Sequence, residues 1–122
     1  MNTLPQLIES AEKAQAPDRE LECRIWSELF SKVPFEMARA VVPDLLQWQA
    51  PYYTHSIDQA LLVKPNGAQW SCDSHHNTAE IMVYRDDPQS GPDCHAYPGE
   101  GSSLPFAIVA ASLRAHMSQD HD

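Results

Sequence analysis

The sequence predicts an α+β fold: a short antiparallel sheet of three to four strands covered by two N-terminal helices and one C-terminal helix. Three observations lead there. Two stretches near the N-terminus carry apolar residues at helical spacing. A middle stretch alternates with a period of two, and a late Ala-rich stretch is apolar nearly all round.

Leu4, Leu7, Ile8 and Ala11 recur at helical spacing, which predicts a short amphipathic helix over residues 3–15. Pro17, followed by Asp18 and Glu20, marks a fresh helix start, with proline at the first position and acidic side chains near the positive end of the dipole. Leu21, Ile25 and Leu29 form one stripe, widened by Trp26 and Phe30, whereas Glu22, Arg24 and Glu28 are expected elsewhere on the wheel. This second helix is expected to dock on the sheet through Ile25, Trp26 and Leu29. Pro34, Pro43 and Pro51 then limit the chain to short pieces, because proline breaks a helix and restricts the residue before it.

Ser56 is suited to cap a short helix through Asp58, Ala60 and Leu61, with Leu62 and Val63 continuing toward a strand. Asp58 in its first turn is explained by the helix dipole, without a catalytic role. Pro65-Asn66-Gly67 signals a turn before a strand at 69–72. From Asn77 onward Ala79, Ile81 and Val83 alternate with Glu80, Met82 and Tyr84, which predicts a central strand covered on both sides. A third strand is expected at 94–97 after the turn-rich DDPQSGPD loop, completing a meander. Ser102 or Ser103 caps the last helix, and Pro105 falls in its first turn. Phe106, Ile108, Val109 and Leu113 join three alanines to make it apolar all round, and residues 118–122 are expected to fray. The expected core is Ile25, Trp26, Leu29, Ile81, Val83, Phe106, Ile108, Val109 and Leu113.

The 122 residues are those of a single domain, 1–122. No apolar run reaches the roughly 18 residues that a membrane span needs, and the N-terminal stretch has an acidic rather than a basic leader, so the cytoplasm is the expected location. Cys23, Cys72 and Cys94 are odd in number and form no C-x-x-C, which favours free thiols. A net charge of −9 with scattered basic residues opposes phosphate-backbone binding, so no direct nucleic-acid partner is expected.

Several groups are candidates for chemistry or binding. Phe35, Met37, Trp48, Tyr52 and Tyr53 concentrate apolar and aromatic surface beside prolines, the composition of a partner-binding patch. Gly99, Gly101, Ser102 and Ser103 lead into a helix N-terminus whose amides favour an anion, although Glu100 opposes one. Cys72, His75, His76, Cys94 and His95 supply nitrogen and sulfur ligands of the kind zinc prefers. Their spacing matches no zinc motif, and no metal or other cofactor is expected. No paired carboxylates, nucleophile–base set or phosphate-binding Gly-rich loop is recognisable, and no catalytic residue is assigned.

Three segments, PDRELECRIWSELF (17–30), PYYTHSIDQALLV (51–63) and SSLPFAIVAASLRAH (102–116), occur in an order that resembles the phage αβα-sandwich family, small proteins of phages and prophages. The matching features are an acidic D-R-E helix, a YT-x-S-I-D-x-A-L segment, a short sheet and an Ala-rich closing helix. Residues 31–50 depart from the pattern as an insertion, and the loop near 86–95 also lies outside it. The resemblance implies an αβα sandwich in a phage or prophage setting and brings no established chemistry with it. The expected function is that of a non-enzymatic accessory protein that binds a host or phage protein, including counter-defence by occupying a nucleic-acid-binding surface of a host immune complex such as a CRISPR effector. A small-ligand binder or sponge for a nucleotide or metabolite, using the Gly99–Ser103 turn, is the alternative from a different class. A virion or morphogenesis role is the third, and homo-oligomerisation is compatible with each.

Overall fold

A computed structural model describes residues 4–31, 51–87 and 91–120. Helix α1 spans Leu4–Lys13, and α2 spans Arg19–Trp26 and runs into a π-helical turn at Ser27–Ser31. A four-residue helix α3, Ile57–Ala60, continues as a 3-10 turn, Leu61–Val63. Strands β1 (Gln69–Asp73), β2 (Thr78–Asp87) and β3 (Gly91–Glu100) form an antiparallel meander in the order β1-β2-β3, and α4 spans Leu104–Asp120.

Helix α4 organises the molecule. Phe106 through Leu113 and Ala115 are all at or near zero exposure, as its apolar circumference requires. One side of α4 lies on the sheet, where Ala111 and Ala115 meet Ile81, Val83 and half-buried Tyr97. Its remaining circumference meets α1 and α3 through Leu4, Leu7, Ile8, Ala11, Ala60 and Val63. The layers therefore run sheet, α4, then α1 with α3. A helix that is apolar all round needs cover on more than one side, and that need places the sheet on one flank and the helices on the other.

This layering corrects two expectations. Strand β2 is central, but among the described residues only its Ala79–Ile81–Val83 face is covered. On the opposite face Glu80 is exposed, Met82 half-buried and Tyr84 57% exposed. Helix α2 docks in the helical layer instead of on the sheet: Leu21 and Ile25 are buried with α1 and α4 residues, while Trp26 and Leu29 sit half-buried at the margin of that cluster. Trp26→Ala should accordingly cost about 2 kcal/mol, below the roughly 3–5 kcal/mol of a fully buried tryptophan, as measured by urea denaturation.

Boundaries differ for local reasons. Asp18, with φ −128° and ψ 106°, is the N-cap of α2, so Pro17 precedes the cap rather than occupying the first turn. Leu62 and Val63 close a 3-10 turn in place of a strand. The second and third strands are longer than the alternation suggests, pairing out to Asp87↔Gly91. Helix α4 continues to Asp120, and the Tyr97 hydroxyl hydrogen-bonds Ser118 Oγ at 2.7 Å, tying down a turn expected to fray. Arg114 joins three elements: it donates to both Glu12 carboxylate oxygens at 2.7 and 2.9 Å and to the Pro98 carbonyl at 2.8 Å. Among the described residues no helix is long and apolar enough to cross a membrane.

Candidate functional site

Among the described residues the least ordinary side chain is Glu22, which is 0% exposed. An ionised carboxylate buried without partners would cost several kcal/mol, so its surroundings show what the fold is built to hold. Asp18 caps α2 by accepting from the Leu21 amide at 3.2 Å, and one turn of helix carries Glu22 inward beside Leu21 and Cys23. Opposite it runs the irregular segment 51–55, which ends at Ser56. That residue is fixed as the N-cap of α3 by the Gln59 amide, at 3.2 Å.

Thr54 reaches Glu22 twice, with its amide at 2.9 Å and its hydroxyl at 2.7 Å from Oε2. The same hydroxyl oxygen accepts the Asp18 amide at 3.0 Å, so its single proton is directed to Glu22. His55 Nδ1 lies 2.8 Å from Oε2, and Arg19 Nη1 donates to Oε1 at 3.1 Å. These partners supply donors to a group that accepts, which makes His55 Nδ1 the protonated ring nitrogen. Hydrogen bonds of this charge-assisted kind are stronger than neutral ones and offset the desolvation of the carboxylate.

The surface above Glu22 is formed by the outer parts of the same residues. Arg19 Nη1 also donates to the Pro51 carbonyl at 3.2 Å, and its guanidinium lies 4.2 Å over the Tyr52 ring. Tyr52 meets the His55 ring edge-on at a centroid distance of 5.1 Å, and its amide donates to Gln59 Oε1 at 3.1 Å. Tyr52 is 53% exposed, and the His55 side chain is 45% exposed. An exposed tyrosine is thus held by a cation on its face, an imidazole at its edge and a tethered backbone. Tyr53 points the opposite way: it is 1% exposed within the helical core, and burial pushes its hydroxyl well above the ordinary tyrosine range. Burial likewise raises the Cys23 thiol.

Helical spacing alone assigned Glu22 to the outer part of the wheel, which the structure corrects. Three and four residues before Ile25 and Trp26, it lies close to the apolar stripe, and a charge in that place was the available signal. Arg19, Thr54 and His55 carried no separate signal, because their role depends on bringing together two segments over 30 residues apart.

The other sequence candidates are dispersed. Phe35, Met37 and Trp48 lie outside the described residues. Gly99 and Gly101 face α4. A methyl group on Gly99 would overlap the Ala107 carbonyl and the Ala111 amide nitrogen and lie 2.9 Å from Ala111 Cβ; one on Gly101 would lie 2.6 Å from Phe106 Cβ. Ser102 Oγ donates to the Ala14 carbonyl at 2.7 Å, and the Ser103 carbonyl accepts the Ala107 amide at 3.1 Å. The neighbouring groove is lined by Glu12, Asp73, Glu80 and Glu100 with Arg114, an acidic setting for that turn.

Cys72 and Cys94 do not converge. Their β2 partners, Ala79 and Tyr84, are five residues apart, roughly 17 Å along the strand. His75 and His76 are exposed in the β1–β2 turn and His95 is exposed on β3. The His76 ring and the His75 amide hydrogen-bond Asp73 at 2.8 and 2.9 Å and hold its carboxyl below the usual range. Comparison with known proteins finds no matching family model, curated protein or solved structure.

Proposed function

We propose that this chain is a non-enzymatic accessory protein that binds another protein through the Tyr52–Arg19–His55 surface. The observation that supports the reading is the fixed, exposed Tyr52 ring above a buried and fully engaged Glu22. Tyrosine and arginine are the residue types enriched at binding hot spots, and a side chain ordered before binding loses less entropy in the complex. Nearby hydroxyls are already committed: Thr54 donates to Glu22 and Ser56 caps α3.

The net charge of −9 favours a basic partner. The motif resemblance supports a phage or prophage setting, in which a nucleic-acid-binding surface of a host defence complex is a partner of suitable charge.

Quantitative affinity capture from bacterial host lysate tests this reading. The Tyr52→Ala variant should retain wild-type stability within about 0.5 kcal/mol, as is usual at exposed positions, and should lose at least about tenfold in affinity for the captured partner. Equal capture by wild type and variant, or recovery of no basic partner, would contradict it.

A further inference from the structure

Among the described residues the sheet has two unpaired edges, and they are built differently. Edge strand β3 carries Pro92 and Pro98, which have no amide donor, and the Pro98 carbonyl is already taken by Arg114 at 2.8 Å. Edge strand β1, Gln-Trp-Ser-Cys-Asp, has no proline, no lysine and no arginine. All five of its residues are exposed, including Trp70 at 39%. Its outer row of amides and carbonyls thus carries neither the proline nor the lysine by which edge strands discourage pairing, and its one charge, Asp73, stands at the end of the strand.

We propose that β1 pairs antiparallel with β1 of a second copy of this chain, about a two-fold axis at Ser71, to give a continuous six-stranded sheet. The five residues are complementary to themselves in this register. Ser71 faces Ser71 of the other copy, Trp70 faces Cys72, and Gln69 faces Asp73, so all five positions are paired and the two aspartates stay apart. An axis at Asp73 would set like charges opposite each other, which destabilises a strand pair. An axis at Cys72 would leave Gln69 and Trp70 opposite residues beyond the strand. The pattern also suits the faces of the sheet. Trp70 and Cys72 pair with Ile81 and Ala79 and so share the α4 side, while Gln69, Ser71 and Asp73 share the open side. Closed two-fold pairing consumes both β1 edges and leaves only the proline-bearing β3 edges outward. The Tyr52 surface belongs to a different part of the molecule, so this assembly stands independently of the protein-binding reading.

Sedimentation equilibrium of the full chain should show a concentration-dependent species at twice the 13.7 kDa chain mass. Ser71→Lys, which sets two cations face to face on the axis, should return it to the single-chain mass with unchanged circular dichroism, and with a Tm that no longer rises with protein concentration. Register is tested by oxidation in a Cys72→Ser, Cys94→Ser background. Ser71→Cys should give a covalent dimer on a non-reducing gel, since directly opposed residues fall within disulfide reach. Gln69→Cys should not. A wild-type protein that stays at single-chain mass up to millimolar concentration, a Ser71→Lys variant that still associates, or equal crosslinking by Ser71→Cys and Gln69→Cys would each overturn the proposal.

Discussion

Replacing Glu22 by glutamine should destabilise the protein by about 3 kcal/mol, a large share of the stability of a domain this size. The change is nearly isosteric, so it creates no cavity. Its cost is electrostatic and directional. Glu22 Oε2 takes the Thr54 amide, the Thr54 hydroxyl and His55 Nδ1, while Oε1 takes Arg19. A glutamine can direct its oxygen at one of these sets only, and its NH2 group must then oppose donors in the other. Arg19 also loses its charged partner. Urea denaturation should show a lower midpoint with an unchanged slope. A loss under about 1 kcal/mol would mean that the carboxylate is hydrated or that the network contributes little.

Gly99→Ala should be at least as costly, about 3 kcal/mol or more, and should lower Tm by roughly 10 °C. The added methyl would meet the backbone of α4 at Ala107 and Ala111, not the movable end of a side chain. Relief requires α4 to move away from β3. That separation would loosen the contacts of Ala111 and Ala115 with Ile81 and Val83 and strain the Arg114–Pro98 bond. A calorimetric scan provides the check, and a Tm within about 2 °C of wild type would show that the helix and strand are not in close contact at Gly99. By contrast Gly67, with φ +80° and open space around it, should lose stability on mutation to alanine only through backbone strain.

The elements most legible in the sequence are those whose residues report their own environment. The all-round apolar character of 104–115 correctly marks a helix covered on more than one side, and the alternation of 79–84 marks the central strand. Capping by Ser56 is equally local and is observed. What stayed hidden depends on which layer packs on which. Trp26 reads as core and Met82 as the second covered face of β2, yet the second helix lies on α1 and the described residues leave that sheet face open, so both are only half-buried. The site was partly legible: Tyr52 stood out by its chemistry, whereas Glu22 and His55 gain meaning only when α2 and the 51–55 segment meet. Gly99 illustrates the reverse, since its position before a helix suggests an anion site and its actual neighbours are the backbone atoms of α4.

The central claim is that Glu22 locks the segments 18–22 and 51–55 into one unit, and native-state hydrogen exchange at the Thr54 amide tests it most directly. Thr54 lies outside any helix or strand, yet its residue is 2% exposed and its amide is bound to Glu22 Oε2 at 2.9 Å. The expected result is protection approaching that of the α4 core amides, falling by at least about 100-fold in Glu22→Gln, equivalent to about 2.7 kcal/mol. Exchange of Thr54 at the rate of an unstructured peptide, with α4 still protected, would contradict the account.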